Sequence, residues 1–232
     1  MISIIIPTYN EEATIKKTIE YLQQCDTDGL IKEIIISDGG STDNTILMAK
    51  IIGVKIGVSP QKGRAAQMNY GAGLATGELL YFLHADTIPP ENFINEITSA
   101  VKQGYGSGSF QLSFDYKHWF LKMNCWFTRF NVNAVRFGDQ SLFVQKEIFN
   151  NAGGFREDLL LMEDQEIIHR LKKQGKFMVL NGQVTTSARK YLDNGIYKMQ
   201  LIFYTIWMLY YLGLSQQNLL KIYRRIIKSN KL

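Results

Sequence analysis

The stretch Ile2-Ser3-Ile4-Ile5-Ile6-Pro7-Thr8-Tyr9-Asn10-Glu11-Glu12 decides the fold. Its β-branched run 2–6 is too short for a helix and apolar on both faces, as a buried parallel strand is. Pro7 lacks an N–H and is expected to close the ladder, and Asn10 is placed to cap a following helix. Runs 34–36 and 79–83 read as further strands, and 54–58 as a weaker one. Between them, residues 11–24, 45–52 and 64–74 carry helical spacing, and 90–102 follows with Pro90 suited to a first turn. Strand and helix alternate, which predicts an α/β chain with a mostly parallel sheet covered by helices. Ligands of such sheets bind beyond the carboxyl ends of the strands, where the polar clusters of this sequence fall.

The second half is less regular. Residues 107–114 and 140–144 read as strands and 163–174 as a helix. Residues 118–137 place Trp119, Phe120, Met123, Phe127, Phe130, Ala134 and Phe137 on one helical stripe. The uncharged apolar run 201–214 leads into a basic tail. The expected division is a catalytic unit over 1–190, with halves 1–103 and 104–190, and a helical extension over 191–232. Cys25 and Cys125 are too few for a disulfide framework or a four-Cys zinc site.

The 232 residues carry 26 basic and 21 acidic side chains, a formal +5. Six cations and no acid lie between Lys198 and Leu232: Lys198, Lys221, Arg224, Arg225, Lys228 and Lys231. Without them residues 1–197 stand at −1, so the surplus is a property of the tail and not a nucleic-acid-binding face. The opening residues lack a charged leader and read as a first strand and not a secretory signal.

Five clusters could carry chemistry. The first is Pro7 to Glu12. The second, Ser37-Asp38-Gly39-Gly40-Ser41-Thr42-Asp43, has glycines that admit a ligand to the backbone and Asp38 as an acceptor for a ribose or base. Each also reads as a turn with a helix cap. In the third, Lys62-Gly63-Arg64 sets cations beside a helix start, where a phosphate would sit. The fourth, His84-Ala85-Asp86-Thr87, ends the strongest strand with a carboxylate suited to Mg²⁺ or Mn²⁺. The fifth joins Gly153-Gly154-Phe155 to Glu163-Asp164, acids that favour a helix N-terminus and could also act as a base. Residues 104–109 lack the last glycine of a dinucleotide fingerprint, and no P-loop or G-x-S-x-G sequence is present.

Together these residues resemble the family-2 glycosyltransferases with the GT-A fold. The similarity is closest to a bacterial branch described as arsenosugar-biosynthesis-like or selenodomain-associated. That branch is suggested by residues 63–69, 83–87, Phe137-Gly138-Asp139-Gln140 and Thr186-Ser187-Ala188-Arg189. The resemblance implies a nucleotide-diphosphate sugar as donor, with Thr8, Glu11 and Asp38 holding base and ribose and Arg64 near the diphosphate. It implies a divalent metal at Asp86, with His84 standing where the family usually has a first Asp. Ser37 likewise replaces a frequent Asp. Asp164 matches the family's catalytic base, which implies inversion at the anomeric carbon.

Two readings of the apolar run stay open, a core helix and an interfacial helix on a membrane surface. The acceptor expected is a small molecule, a glycan or a lipid-linked compound; the alternatives for the chain itself are a polyprenyl-phosphate glycosyltransferase at the membrane surface and a non-catalytic sugar-nucleotide-binding protein. The expected location is cytoplasmic, at the inner face of the plasma membrane where the tail engages it.

Overall fold

A computed structural model describes residues 1–135 and 138–227. Phe137 of the aromatic stripe and Lys228 and Lys231 of the tail lie outside the described residues. The first half follows the alternation of its sequence: β1 (Ile2–Thr8), α1 (Ile15–Cys25), β2 (Ile31–Asp38), α2 (Thr45–Ile52), β3 (Lys55–Val58), α3 (Arg64–Leu74) and β4 (Leu79–Phe82). A two-residue β5 (Thr87–Ile88) and α4 (Phe93–Lys102) come next. The second half adds β6 (Ser107–Phe114), α5 (Trp119–Phe127), β7 (Leu142–Gln145), α6 (Lys146–Asn151), α7 (Glu163–Gln174) and β8 (Phe177–Thr186). It closes with α8 (Arg189–Asn194), α9 (Ile196–Tyr211) and α10 (Gln216–Ile226).

The strands form one sheet in the order β3-β2-β1-β4-β7-β6-β8-β5. Pairs β1–β2, β1–β4, β2–β3 and β6–β8 are parallel, whereas β7 runs antiparallel to both β4 and β6. One apolar cluster on one face packs α1, α2 and α4 through Ile15, Ile19, Ala49, Phe93 and Ile97. A second packs α3, α6 and α7 through Met68, Phe149, Ile167 and Leu171. A third joins α8, α9 and α10 to Leu121 of α5 through Tyr191, Met199, Ile202, Ile206 and Tyr223.

Three expectations are corrected. Pro7 does not end β1: pairing with β2 continues through Pro7–Ser37 and Thr8–Asp38, and stops only on the β4 side, at Ile5–Phe82. The reason is directional. The Ile5 carbonyl accepts from Leu83 beside β4, while the Thr8 carbonyl accepts from Gly39 beside β2. Pro7, two residues after Ile5, therefore directs its missing donor toward β4. Asn10 caps no helix. It sits at φ 55°, and its side chain accepts from the Thr42 N–H at 2.8 Å, tying the first loop to the second. Finally, the stripe over 118–137 is not one helix. α5 stops at Phe127 because the Thr128 hydroxyl donates to the Cys125 carbonyl at 2.6 Å and accepts from Leu112 of β6 at 2.9 Å.

Candidate active site

The first two loops beyond the sheet interlock. Thr8 Oγ1 and Ser41 Oγ donate to Asp38 Oδ1, and the Gly40 and Ser41 N–H groups donate to Oδ2 at 2.8 and 2.7 Å. Asp38 is fully buried, and these four donors fill the usual acceptor positions of a carboxylate. Asp38 therefore shapes the loop that leads into α2. Return contacts complete the lock: the Asn10 N–H donates to Ser41 Oγ, the Glu11 N–H to Thr45 Oγ1, and Asn44 to the Glu12 carboxylate.

α3 is seated against this pair of loops by Gln67, whose Nε2 donates to the Thr8 carbonyl at 2.6 Å and the Ser37 carbonyl at 3.1 Å. Gly39 makes room for it, since a Cβ there would lie 2.8 Å from Gln67 Nε2. Ser37 donates to the Gln67 carbonyl, so the residue that replaces a frequent Asp has a partner of its own. Gly63, at φ 120°, turns the chain into α3 and places Arg64 at its first position. Asn69, farther along α3, accepts from the Phe155 N–H and donates to the Phe155 carbonyl, both at 2.8 Å. Gly153-Gly154-Phe155 is thus a latch between α3 and the segment leading to α7.

That latch brings two helix starts together. Arg64 Nε lies 3.4 Å from Glu163 Oε1, and its Nη1 lies 3.7 Å from Asp164 Oδ2. Glu163 and Asp164 occupy the first turn of α7, where the helix dipole favours carboxylates. Met162, just before them, is held in the left-handed region at φ 71°, a costly conformation for a non-glycine residue. Arg64 sits against the dipole of its own helix, and the two carboxylates offset that cost. Burial, the Glu163 charge and the Asp139 charge push the Asp164 carboxyl well above the ordinary carboxylate range, against the opposing pull of Arg64. The same carboxylates raise the Arg64 guanidinium above its ordinary value against its burial.

His84 borders a small cleft with Pro7 and Asp164. Asp86 is half-buried, and burial with the Asp139 and Glu11 charges pushes it up to about 6, with Lys190 and Arg189 opposing. Among the described residues no three His, Cys, Asp or Glu side chains form a protein-only metal cage. An Asp86 carboxyl crowded by other carboxylates is nevertheless a fit for a hard divalent cation that takes its remaining oxygens from a diphosphate. Asp139 and Lys190, to which the sequence reading assigned no role, belong to this charged group. Their only signal in the sequence is the run of residues around each of them.

A cavity of about 300 Å³ opens on the far side of Asp164. Arg64, Asp139, Glu163, Asp164 and Lys190 line it together with apolar residues of β6, α5 and α9.

A mixed sheet with charged loops at the carboxyl ends of β1, β2 and β4, and an acid–arginine pair beside a cavity, is the architecture of a GT-A transferase. The chain belongs to glycosyl transferase family 2, whose description matches residues 3–156. Glucosyl-3-phosphoglycerate synthase of Mycobacterium tuberculosis is 34% identical over 99 residues, covering 38% of this chain and 30% of that protein. The chain thus spans about a third of the length of the curated relatives it matches. The crystal structure of S. aureus TarS 1–349 with UDP-GlcNAc aligns with a TM-score of 0.67 at 16% identity, over 80% of this chain and 58% of that one. The M. tuberculosis glucosyl-3-phosphoglycerate synthase complex with Mn²⁺, UDP and glucosyl-3-phosphoglycerate aligns at 0.60 and 19% identity, over 79% and 70%.

The raised Asp86 has a stability consequence. Its carboxyl ionises near 3.8 in the unfolded chain and about 6 in the fold, so ionisation weakens the fold as pH rises between those values, and the penalty persists above them. In chelator, Asp86→Asn is expected to gain about 1–2 kcal/mol at pH 7.5 and almost nothing at pH 4. Denaturant unfolding at the two pH values checks this.

Proposed function

We propose that the protein transfers a sugar from a nucleoside-diphosphate donor to an acceptor hydroxyl with inversion. The observation that carries this reading is Asp164 held opposite Arg64 at the edge of a cavity large enough for an acceptor. In the reaction the acceptor O–H proton passes to the Asp164 carboxylate as the oxygen bonds to the anomeric carbon. The bond from that carbon to the phosphate oxygen breaks, and the nucleoside diphosphate leaves with the electron pair. Arg64 meets part of the departing charge. A divalent cation, Mg²⁺ or Mn²⁺, supplies Lewis-acid neutralisation of the diphosphate when bound, with Asp86 as its carboxylate and His84 nearby on the same connection. Thr8 and Glu11 flank the nucleotide, while Asp38 holds the shape of the loop it meets. In this reading residues 1–103 serve the donor and 104–190 the acceptor, and the extension adds Tyr191, Phe203, Tyr204, Ile206 and Tyr223 to the wall of the acceptor cavity.

The relatives support the donor class: M. tuberculosis glucosyl-3-phosphoglycerate synthase was solved with UDP and Mn²⁺, and TarS with UDP-GlcNAc. A thermal-shift panel of UDP-, GDP- and dTDP-sugars with and without Mn²⁺ identifies the donor by mass action. Asp164→Asn is expected to keep that shift and to lose about 10²–10⁴-fold in kcat for transfer to a hydroxyl. Near-normal transfer by Asp164→Asn would contradict the assignment. A polyprenyl phosphate acceptor, already anionic, would show that near-normal result.

A second reading concerns location. α9 is largely apolar, with Lys198 its single charge, and Tyr197, Leu201, Tyr204, Met208 and Tyr211 are exposed. Trp119, Met123, Trp126 and Phe127 of α5 are exposed as well, and Tyr204 of α9 donates to Asn124 of α5 at 2.6 Å. From Tyr116 to Val135, and from Gly195 onward, every charged residue is a cation. Among the described residues no helix is long and apolar enough to cross a membrane. An apolar, aromatic and cationic face fits the anionic surface of a bilayer, and the cytoplasmic leaflet carries such charge. Co-sedimentation with phosphatidylglycerol vesicles, weakened by salt and absent with phosphatidylcholine alone, is the expected result.

A further inference from the structure

The cavity beside Asp164 is chemically two-sided. At one end stand the charged residues Asp139, Glu163, Asp164, Arg64 and Lys190. The remaining wall is largely apolar, with Leu112 and Phe114 from β6, Phe127 from α5, and Phe203 and Ile206 from α9. At about 300 Å³ it exceeds the space a single sugar hydroxyl or a few waters require, and it falls in the range of small-molecule sites. A donor sugar is a poor match for the apolar wall, because its hydroxyls would lose water without gaining partners.

Two further observations point to a ligand there. Gln165 lines the cavity, is 3% exposed, and its Nε2 has no hydrogen-bond partner among the described residues. A buried amide donor without a partner is costly, and a ligand oxygen would satisfy it. Phe127 and Tyr204 line the cavity and are also exposed members of the α5–α9 face, so cavity and apolar surface are continuous.

We propose that this cavity is the acceptor site and that the acceptor is a neutral amphipathic alcohol, its hydroxyl at Asp164 and its alkyl or isoprenoid body between β6, α5 and α9. The inference rests on the proposed transfer reaction and adds the class of acceptor. Charge decides between an alcohol and a lipid phosphate. The three acids Asp139, Glu163 and Asp164 face the two cations of Arg64 and Lys190, which leaves no cationic surplus for a phosphate even when Asp164 holds its proton. A hydroxyl brings no charge and needs the base that Asp164 offers. Continuity with the exposed face gives such an acceptor a path from a lipid surface into the site.

The test uses octyl β-D-glucopyranoside below its micelle concentration as the probe, with methyl β-D-glucopyranoside and octyl phosphate as comparisons. Binding to the full chain is measured by calorimetry. The octyl glucoside is expected to bind at least about tenfold more tightly than either comparison. Ile206→Trp, which fills the apolar end, is expected to weaken it by about tenfold or more. Phe127→Asp, at an exposed position that tolerates charge, is expected to do the same. The UDP–Mn²⁺ thermal shift of each variant reports that the donor half is folded. Equal affinity for the octyl and methyl glucosides would overturn the proposal, as would octyl binding unaffected by either variant, which would place the chain on the outer face. Tightest binding of octyl phosphate would overturn the choice of an alcohol. Absence of the nucleotide shift in the unmodified chain, with octyl binding retained and sensitive to both variants, would count against the donor reading alone and support the cavity's assignment.

Discussion

The ion contact of Arg64 with Glu163 and Asp164 is the constraint around which the site is organised. Side chains from the first turns of α3 and α7 meet at 3.4 and 3.7 Å, and each helix start carries the positive end of a dipole. Two carboxylates on α7 are favoured by that field, while a guanidinium on α3 is not. Neither arrangement is explained by helix stability alone. Taken together they leave Arg64 partly exposed, Glu163 buried and Asp164 between them, with a proton affinity set by burial and two carboxylates on one side and one guanidinium on the other.

Much of the surrounding hydrogen bonding exists to hold that geometry. Asn69 ties α3 to Phe155 through both backbone groups, and Phe155 packs edge-on against Phe82 at the end of β4. Gln67 ties the same helix to the ends of β1 and β2. Displacing α3 by an ångström would therefore disturb the loops over the sheet and the acid pair together. The lock between Asn10, Ser41 and Thr42, with Asp38 at its centre, keeps the first two loops from moving independently.

The parallel half was legible because period and punctuation agree there. Residues 45–52, 64–74 and 163–174 form helices over those spans, where helical spacing coincides with a starting Thr, a preceding Gly63 or an acidic first turn. β8 was not anticipated because Asn181-Gly182-Gln183 interrupts its apolar residues, and its partner β6 lies some seventy positions away. The aromatic stripe was read too long because a single hydroxyl, that of Thr128, ends α5 through a tertiary bond. Arg64 and Asp164 stand at helix starts and Asp86 just past the end of β4, places the sequence marks, and the fold brings the first two within 3.7 Å. Whether Asp38 is open or enclosed was not legible, because its donors come from two loops some thirty residues apart. The charges of Asp139 and Lys190 reach Asp86 only through folding, and no local pattern marks that grouping.

The central claim is that Asp164 is held as a base by its opposition to Arg64. Its most direct test is a carbon-13 NMR titration of the Asp164 carboxyl, in the wild type and in Arg64→Met. The account predicts titration well above the ordinary carboxylate range, moving higher still when the guanidinium is removed. An Asp164 that titrates in the ordinary carboxylate range, and does not respond to the loss of Arg64, would contradict it.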